Sequence, residues 1–131
     1  MSDTPKGHLL VVDDNELNRD MLSRRLQRKG YTVEVAVDGY EALDKIEEAE
    51  FDLILLDIMM SGIDGYETCR RLRTHPTLQH MKVIFVSGTD MVSDRLEAYA
   101  AGADDCLSKP FAPEELLAKV QVYLRLKGTE D

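Results

Sequence analysis

Apolar runs and amphipathic stretches alternate along the whole chain, and the alternation predicts strands and helices in turn. HLLVV (8–12) reads as a buried strand. Residues 15–29 carry Leu17, Met21, Leu22 and Leu26 at helical spacing, and Gly30 follows as a stop. YTVEVAV (31–37) alternates like a strand. Asp38 then precedes a helical stretch over 39–49, with Glu41 placed for a capping box. FDLILLD (51–57) is another apolar strand, and Asp64 with Glu67 opens a helix to about Thr74. After the loop HPTLQH comes the strand KVIFVS (82–87), a helix of weaker pattern over 91–101 and the short strand DCLSK (105–109). Pro113 sits in the first turn of a last helix, where proline is tolerated, and that helix runs to about Leu126.

Five strand–helix alternations with apolar strands imply an α/β fold, a doubly wound parallel sheet with helices on both faces. Right-handed crossovers leave few topologies, and at this size the flavodoxin-like order 2-1-3-4-5 is the common one. Its site lies at the carboxyl ends of strands 1 and 3. The 131 residues suit one domain, 1–131, with a core over about 8–127 and short tails.

Two strands end in acid. Val12 is followed by Asp13 and Asp14, and the third strand ends at Asp57. In the expected order these strands are neighbours, so three carboxylates converge, with Ser87 ending strand 4 and Lys109 ending strand 5 at the same edge. Carboxylates this close do not all stay ionised without a cation. A hard divalent ion, Mg²⁺ or Mn²⁺, answers the need, because it takes a few carboxylates plus water and phosphate oxygens. A carboxylate can also accept a phosphoryl group. Asp57 stands alone at its strand end and is the better acceptor, whereas Asp13 and Asp14 form a pair suited to metal. Taken singly, each residue has a plainer reading: Asp14 or Asn15 as a helix cap, Asp57 as a turn acid, Ser87 as a loop serine, Lys109 as a solvated charge. Their joint placement overturns those readings.

Charge and composition narrow the picture. Asp plus Glu number 25 against 16 Lys plus Arg, a net charge of −9, which disfavours direct nucleic-acid contact and an anionic membrane surface. No apolar stretch is long enough to span a bilayer, and MSDTPKGH lacks a secretory core, so a cytoplasmic protein is expected. Cys69 and Cys106 read as reduced core thiols without metal spacing, and His8, His75 and His80 as surface or loop residues.

The segments VVDDN, LILLDIMMSGIDGYE, VIFVSG and GADDCLSKPF, within residues 9 to 111, together resemble a response-regulator receiver domain of two-component signalling, the CheY-like superfamily. The resemblance implies that Asp57 is phosphorylated by a histidine kinase or phosphotransfer protein. It also implies that Asp13, Asp14, Asp57 and the Met59 backbone carbonyl bind Mg²⁺, that Ser87 is the switch hydroxyl, and that Lys109, followed by a cis bond to Pro110, contacts the phosphoryl group. The implied activity is a switch that catalyses its own phosphorylation and slow dephosphorylation, not a turnover enzyme. An Mg²⁺-dependent phosphatase would need a second acid at position 59, which is Met, and a flavodoxin-like module would need a Ser-, Thr- or Gly-rich phosphate loop where DDNELN stands. Three positions depart from the family pattern: Ser61 replaces a usual proline, Gly88 a usual alanine, and Cys106 a usual aromatic ring. The last points to a signal route through the backbone at Ser87, Gly88 and Thr89. The output domain or downstream protein is not legible, a stand-alone receiver and a piece of a longer protein both stay open, and a homodimer is compatible with the sequence.

Overall fold

The computed structural model describes residues 7–76, 80–88 and 92–127. Five strands and five helices alternate: β1 (His8–Val12), α1 (Glu16–Arg28), β2 (Thr32–Ala36), α2 (Gly39–Glu48), β3 (Leu53–Asp57), α3 (Gly65–Arg73), β4 (Lys82–Ser87), α4 (Val92–Ala100), β5 (Asp105–Ser108) and α5 (Pro113–Lys127). The strands form one parallel sheet in the order β2-β1-β3-β4-β5, as the apolar pattern predicts. Thr89, residues 77–79 of the HPTLQH loop and residue 91 at the start of the predicted helix 91–101 lie outside the described residues.

Side chains alternate across a strand, so an apolar run supplies two cores at once. Leu10, Val12, Ile54, Leu56, Val83 and Phe85 face one side, where Ala42, Ile46, Cys69, Leu72 and Ala98 cover them from α2, α3 and α4. Leu9, Val11, Leu53, Leu55, Ile84 and Leu107 face the other, under Leu22 and Leu26 of α1 and Leu116, Val120 and Leu124 of α5.

Three helices start on an acceptor side chain, which satisfies amides the helix leaves open. Asn15 accepts from the Asn18 amide, Asp38 from Glu41 and Asp64 from Glu67. The expected reciprocal boxes are altered. Glu41 returns its bond to the Val37 amide, one residue before the cap, and Glu67 turns instead to Arg70 and Arg71.

The structure adds a detail to α1 and corrects one expectation. Leu17 and Met21 share helical spacing with Leu22 and Leu26, yet they are 77% and 51% exposed. The apolar positions of α1 form two stripes, and only the Leu22–Leu26 stripe meets the sheet. His8 is not a loose surface residue. It lies on β1, its ring against Phe51 (centroids 4.2 Å apart), with Nε2 2.8 Å from Glu34 and Nδ1 2.7 Å from the Glu50 carbonyl.

Candidate functional site

Parallel strands bring all their carboxyl ends to one edge, so the predicted residues converge there. Asp13 follows β1 and Asp57 closes β3, the two strands pairing Val12 with Leu56. Ser87 closes β4 one residue beyond Val86, the partner of Asp57. Lys109 follows β5, where Ser87 pairs with Ser108 and the Lys109 amide donates to the Ser87 carbonyl at 2.6 Å. The Lys109–Pro110 bond is cis.

One carboxylate oxygen from each of Asp13, Asp14 and Asp57 lies within 4.8 Å of the others. Asp13 and Asp57 are buried, at 2% and 7% exposure, while Asp14 is exposed. Lys109 Nζ stands 3.6 Å from Asp13 and 3.9 Å from Asp57. Those separations exceed a direct hydrogen bond, so the ammonium is aimed at both acids without being locked to either. The Asp57 carboxyl is pushed up to about 6: burial is the main cause, Lys109 opposes it, Asp13 and Asp14 add to it, and a hydrogen bond from the Met59 amide again opposes. An oxygen-only set of three carboxylates fits a hard divalent cation and suits neither a soft ion nor a thiolate site.

The local sequence explains how the acids are held. Asn15, not Asp14, caps α1, which leaves the Asp14 carboxylate to the cluster. The Asn15 amide donates to Asp13 Oδ1 at 2.9 Å, and Arg19 donates to the Asp13 carbonyl at 2.8 Å. The Ser61 amide donates to Asp14 Oδ2 at 3.3 Å. That contact spans 47 residues and escaped the sequence reading; its only signal was a serine where the family has proline, a residue without an N–H. The Met59 side chain is exposed, and its main chain, not its thioether, faces Asp57.

A family model described as the response regulator receiver domain matches residues 9–121. The chain belongs to that family. It is 46% identical over 123 residues to the response regulator MprA of Mycobacterium avium, an alignment covering 94% of this chain and 53% of that protein. Among solved structures, a putative response regulator from Chloroflexus aurantiacus superposes with a TM-score of 0.89 at 36% identity, covering 93% of this chain and 99% of the other. The chemotaxis response regulator CheY4 of Vibrio cholerae gives 0.87 at 36% identity, covering 92% and 100%. These likenesses establish the receiver fold and the switch class. The receiver chain spans about half the length of the MprA relatives it matches. The expected exclusion of nucleic acid is therefore not supported for a longer protein; the acidic charge speaks only for this stretch. Among the described residues, no helix is long and apolar enough to cross a membrane.

Proposed function

We propose that this receiver, one domain over residues 1–131, takes a phosphoryl group on Asp57 from the phosphohistidine of a kinase or phosphotransfer protein, in the cytoplasm, and passes the change to an output domain or downstream protein. The observation that carries the reading is the buried Asp57 carboxylate, set at a strand end beside the Lys109 ammonium and the Asp13–Asp14 pair.

Asp57 acts as nucleophile. One of its oxygens attacks phosphorus, a P–O bond forms, the P–N bond to the donor imidazole breaks, and the leaving imidazole takes up a proton. Burial raises the carboxyl to about 6 when no cation is bound, and the nucleophile is its ionised form. Asp13, Asp14, Asp57 and the Met59 carbonyl would hold Mg²⁺, or Mn²⁺, which withdraws charge from the transferring oxygens when bound. Lys109, with its ammonium 3.6 Å from Asp13 and 3.9 Å from Asp57, supplies a second positive charge to the same oxygens. Ser87, buried one position beyond the Asp57 partner, presents its hydroxyl to the acquired phosphoryl group. Asn15 and Ser61 orient Asp13 and Asp14 through their amides.

Acetyl phosphate with Mg²⁺ should add one phosphoryl group, labile in alkali as acyl phosphates are, and Asp57→Asn should abolish labelling because an amide does not attack phosphorus. Stoichiometric labelling of Asp57→Asn would refute the assignment.

A further inference from the structure

Tyr66 joins the candidate acceptor to the first turn of α4. The Ile58 amide, next to Asp57, donates to the Val86 carbonyl at 3.3 Å, and the Ile58 carbonyl accepts from Gly65 at 2.8 Å. Gly65 packs so closely that an added Cβ would collide with the Asp57 carbonyl oxygen and lie 2.8 Å from the Phe85 ring. The first turn of α3 is thereby seated directly on the backbone of Asp57. Tyr66 is the next residue. It is buried, its ring lies against Phe85 of β4 (centroids 5.5 Å apart), and its hydroxyl donates to the Asp94 carbonyl in the first turn of α4 at 3.2 Å.

That last bond matters because α4 buries few of its side chains and, besides this bond, its Tyr99 hydroxyl reaches Asp105 of β5 at 3.4 Å. Among its described residues only Ala98 is buried, while Val92, Leu96 and Tyr99 are 59%, 63% and 45% exposed. A buried phenol needs a partner for its hydroxyl, and here the partner is the backbone of another helix, 28 residues away. Burial first, then Asp94 and Glu97, hold the Tyr66 phenol above its ordinary value, so it remains a donor. Cys106 on β5, packed against the same core, is too small to make such a link.

We propose that Tyr66 is a positioning residue that fastens α4 in the unphosphorylated state, and that charge arriving on Asp57 releases its hydroxyl from the Asp94 carbonyl. This rests on the reading of Asp57 as acceptor. The bond is a two-state element of the kind a local charge change can bias. Movement of the Asp57 and Ser87 strand ends shifts Ile58, Gly65 and Phe85, all in contact with one another or with Tyr66, whereas Asp94 belongs to a helix that does not share those bonds.

The test is amide hydrogen exchange over residues 92–100, with and without beryllofluoride plus Mg²⁺, in the wild type and in Tyr66→Phe. In the wild type, beryllofluoride should raise exchange in α4 by about fivefold, the worth of one neutral hydrogen bond. In Tyr66→Phe exchange should start at that raised level and gain no more than about twofold. Asp57 labelling by acetyl phosphate should stay within about twofold of the wild-type rate, since the hydroxyl touches no reacting atom. Tyr66→Leu, which also removes the hydroxyl, should repeat the loss of the beryllofluoride increment in α4. The coupling is overturned if Tyr66→Phe keeps the full wild-type increment. It is also overturned, with the acceptor reading intact, if beryllofluoride raises the wild-type melting temperature while α4 exchange stays unchanged. If beryllofluoride and acetyl phosphate both fail to engage wild-type Asp57, the acceptor reading falls and the coupling falls with it.

Discussion

Two Asp-Asp dipeptides, 13–14 and 104–105, follow or open strands of the same sheet, and their surroundings differ completely. At the second pair every acid is answered. Asp104 accepts from Arg73 at 3.0 Å and from the Val83 amide at 2.8 Å. Asp105 accepts from Lys119 at 2.8 Å, from Tyr123 at 3.1 Å and from the Cys106 amide at 2.7 Å. Burial pushes the Asp105 carboxyl up, but Lys119, the Cys106 amide and Tyr123 together outweigh it and hold it below the usual range. At the first pair the cation, Lys109, stands back at 3.6 Å from Asp13, and a third acid, Asp57, is added. An acid pair with fitted counter-charges stabilises the fold. One left under-compensated and partly buried marks a site whose missing charge is supplied by a ligand.

The strongest way to break this comparison is to remove the counter-charge from the structural pair. Arg73 donates to the Met81 carbonyl at 2.6 Å and to the Gly102 carbonyl at 3.0 Å besides Asp104, tying α3 to the residue that leads into β4 and to the turn before β5. Arg73→Ala should cost about 3 kcal/mol by chemical denaturation, because three acceptors lose one donor in a half-buried setting. Labelling of Asp57 should persist in the folded variant. A loss under about 0.5 kcal/mol would mean the pair is a surface decoration of the kind that contributes little.

That network also shows what the chain reveals on its own and what it hides. The strand ends were legible because an apolar run stopping at a polar residue is a local signal, and the carboxyl ends of five parallel strands must share one edge. Asp13, Asp14, Asp57, Ser87 and Lys109 could therefore be placed together from sequence. Arg73, Ser61 and Tyr66 could not. Each acts through a contact to a residue 28 to 47 positions away, Arg73 to Asp104 being 31, and periodicity carries no information about such pairs. Leu17 and Met21 show a further limit: their spacing correctly gives a helix, but spacing does not say which of two apolar stripes meets the sheet.

The next effect sharpens the comparison from the other side. Asp57→Asn should raise metal-free stability at pH 7 by on the order of 2 kcal/mol, since it removes a buried charge that burial and two neighbouring acids oppose. The folded carboxyl sits at about 6 against an ordinary value of 3.8, so the folded state keeps its proton where the unfolded chain has lost it. Wild-type stability should then fall as the pH rises from about 4 to about 6, and the penalty should be complete above that window. Asp57→Asn should lack this slope, and the two proteins should converge near pH 4 in urea titrations. Parallel curves from pH 4 to 7 would remove the unanswered charge from the argument.

The smallest effect separates the two dipeptides most cleanly, because the same substitution should act in opposite directions. Asp14 is exposed and accepts a long hydrogen bond from the Ser61 amide, so Asp14→Ala loses little. Removing one of three converging negative charges should leave metal-free stability unchanged or raised by less than about 1 kcal/mol, as water screens an exposed acid. Asp105→Ala should instead lower stability by about 1–2 kcal/mol, because Lys119, Tyr123 and the Cys106 amide lose a shared acceptor. Magnesium then divides them again. At a concentration 100 times the wild-type Kd, bound ion should add about 2.7 kcal/mol to the wild type. Asp105→Ala should keep that increment and Asp14→Ala should lose most of it, since Asp14 supplies an oxygen to the cluster and Asp105 does not. Thermal melts with and without Mg²⁺ read all four quantities. An equal increment in both variants would show that the Asp13–Asp14 pair is held for the fold, as Asp104–Asp105 is, and that the cation is bound elsewhere.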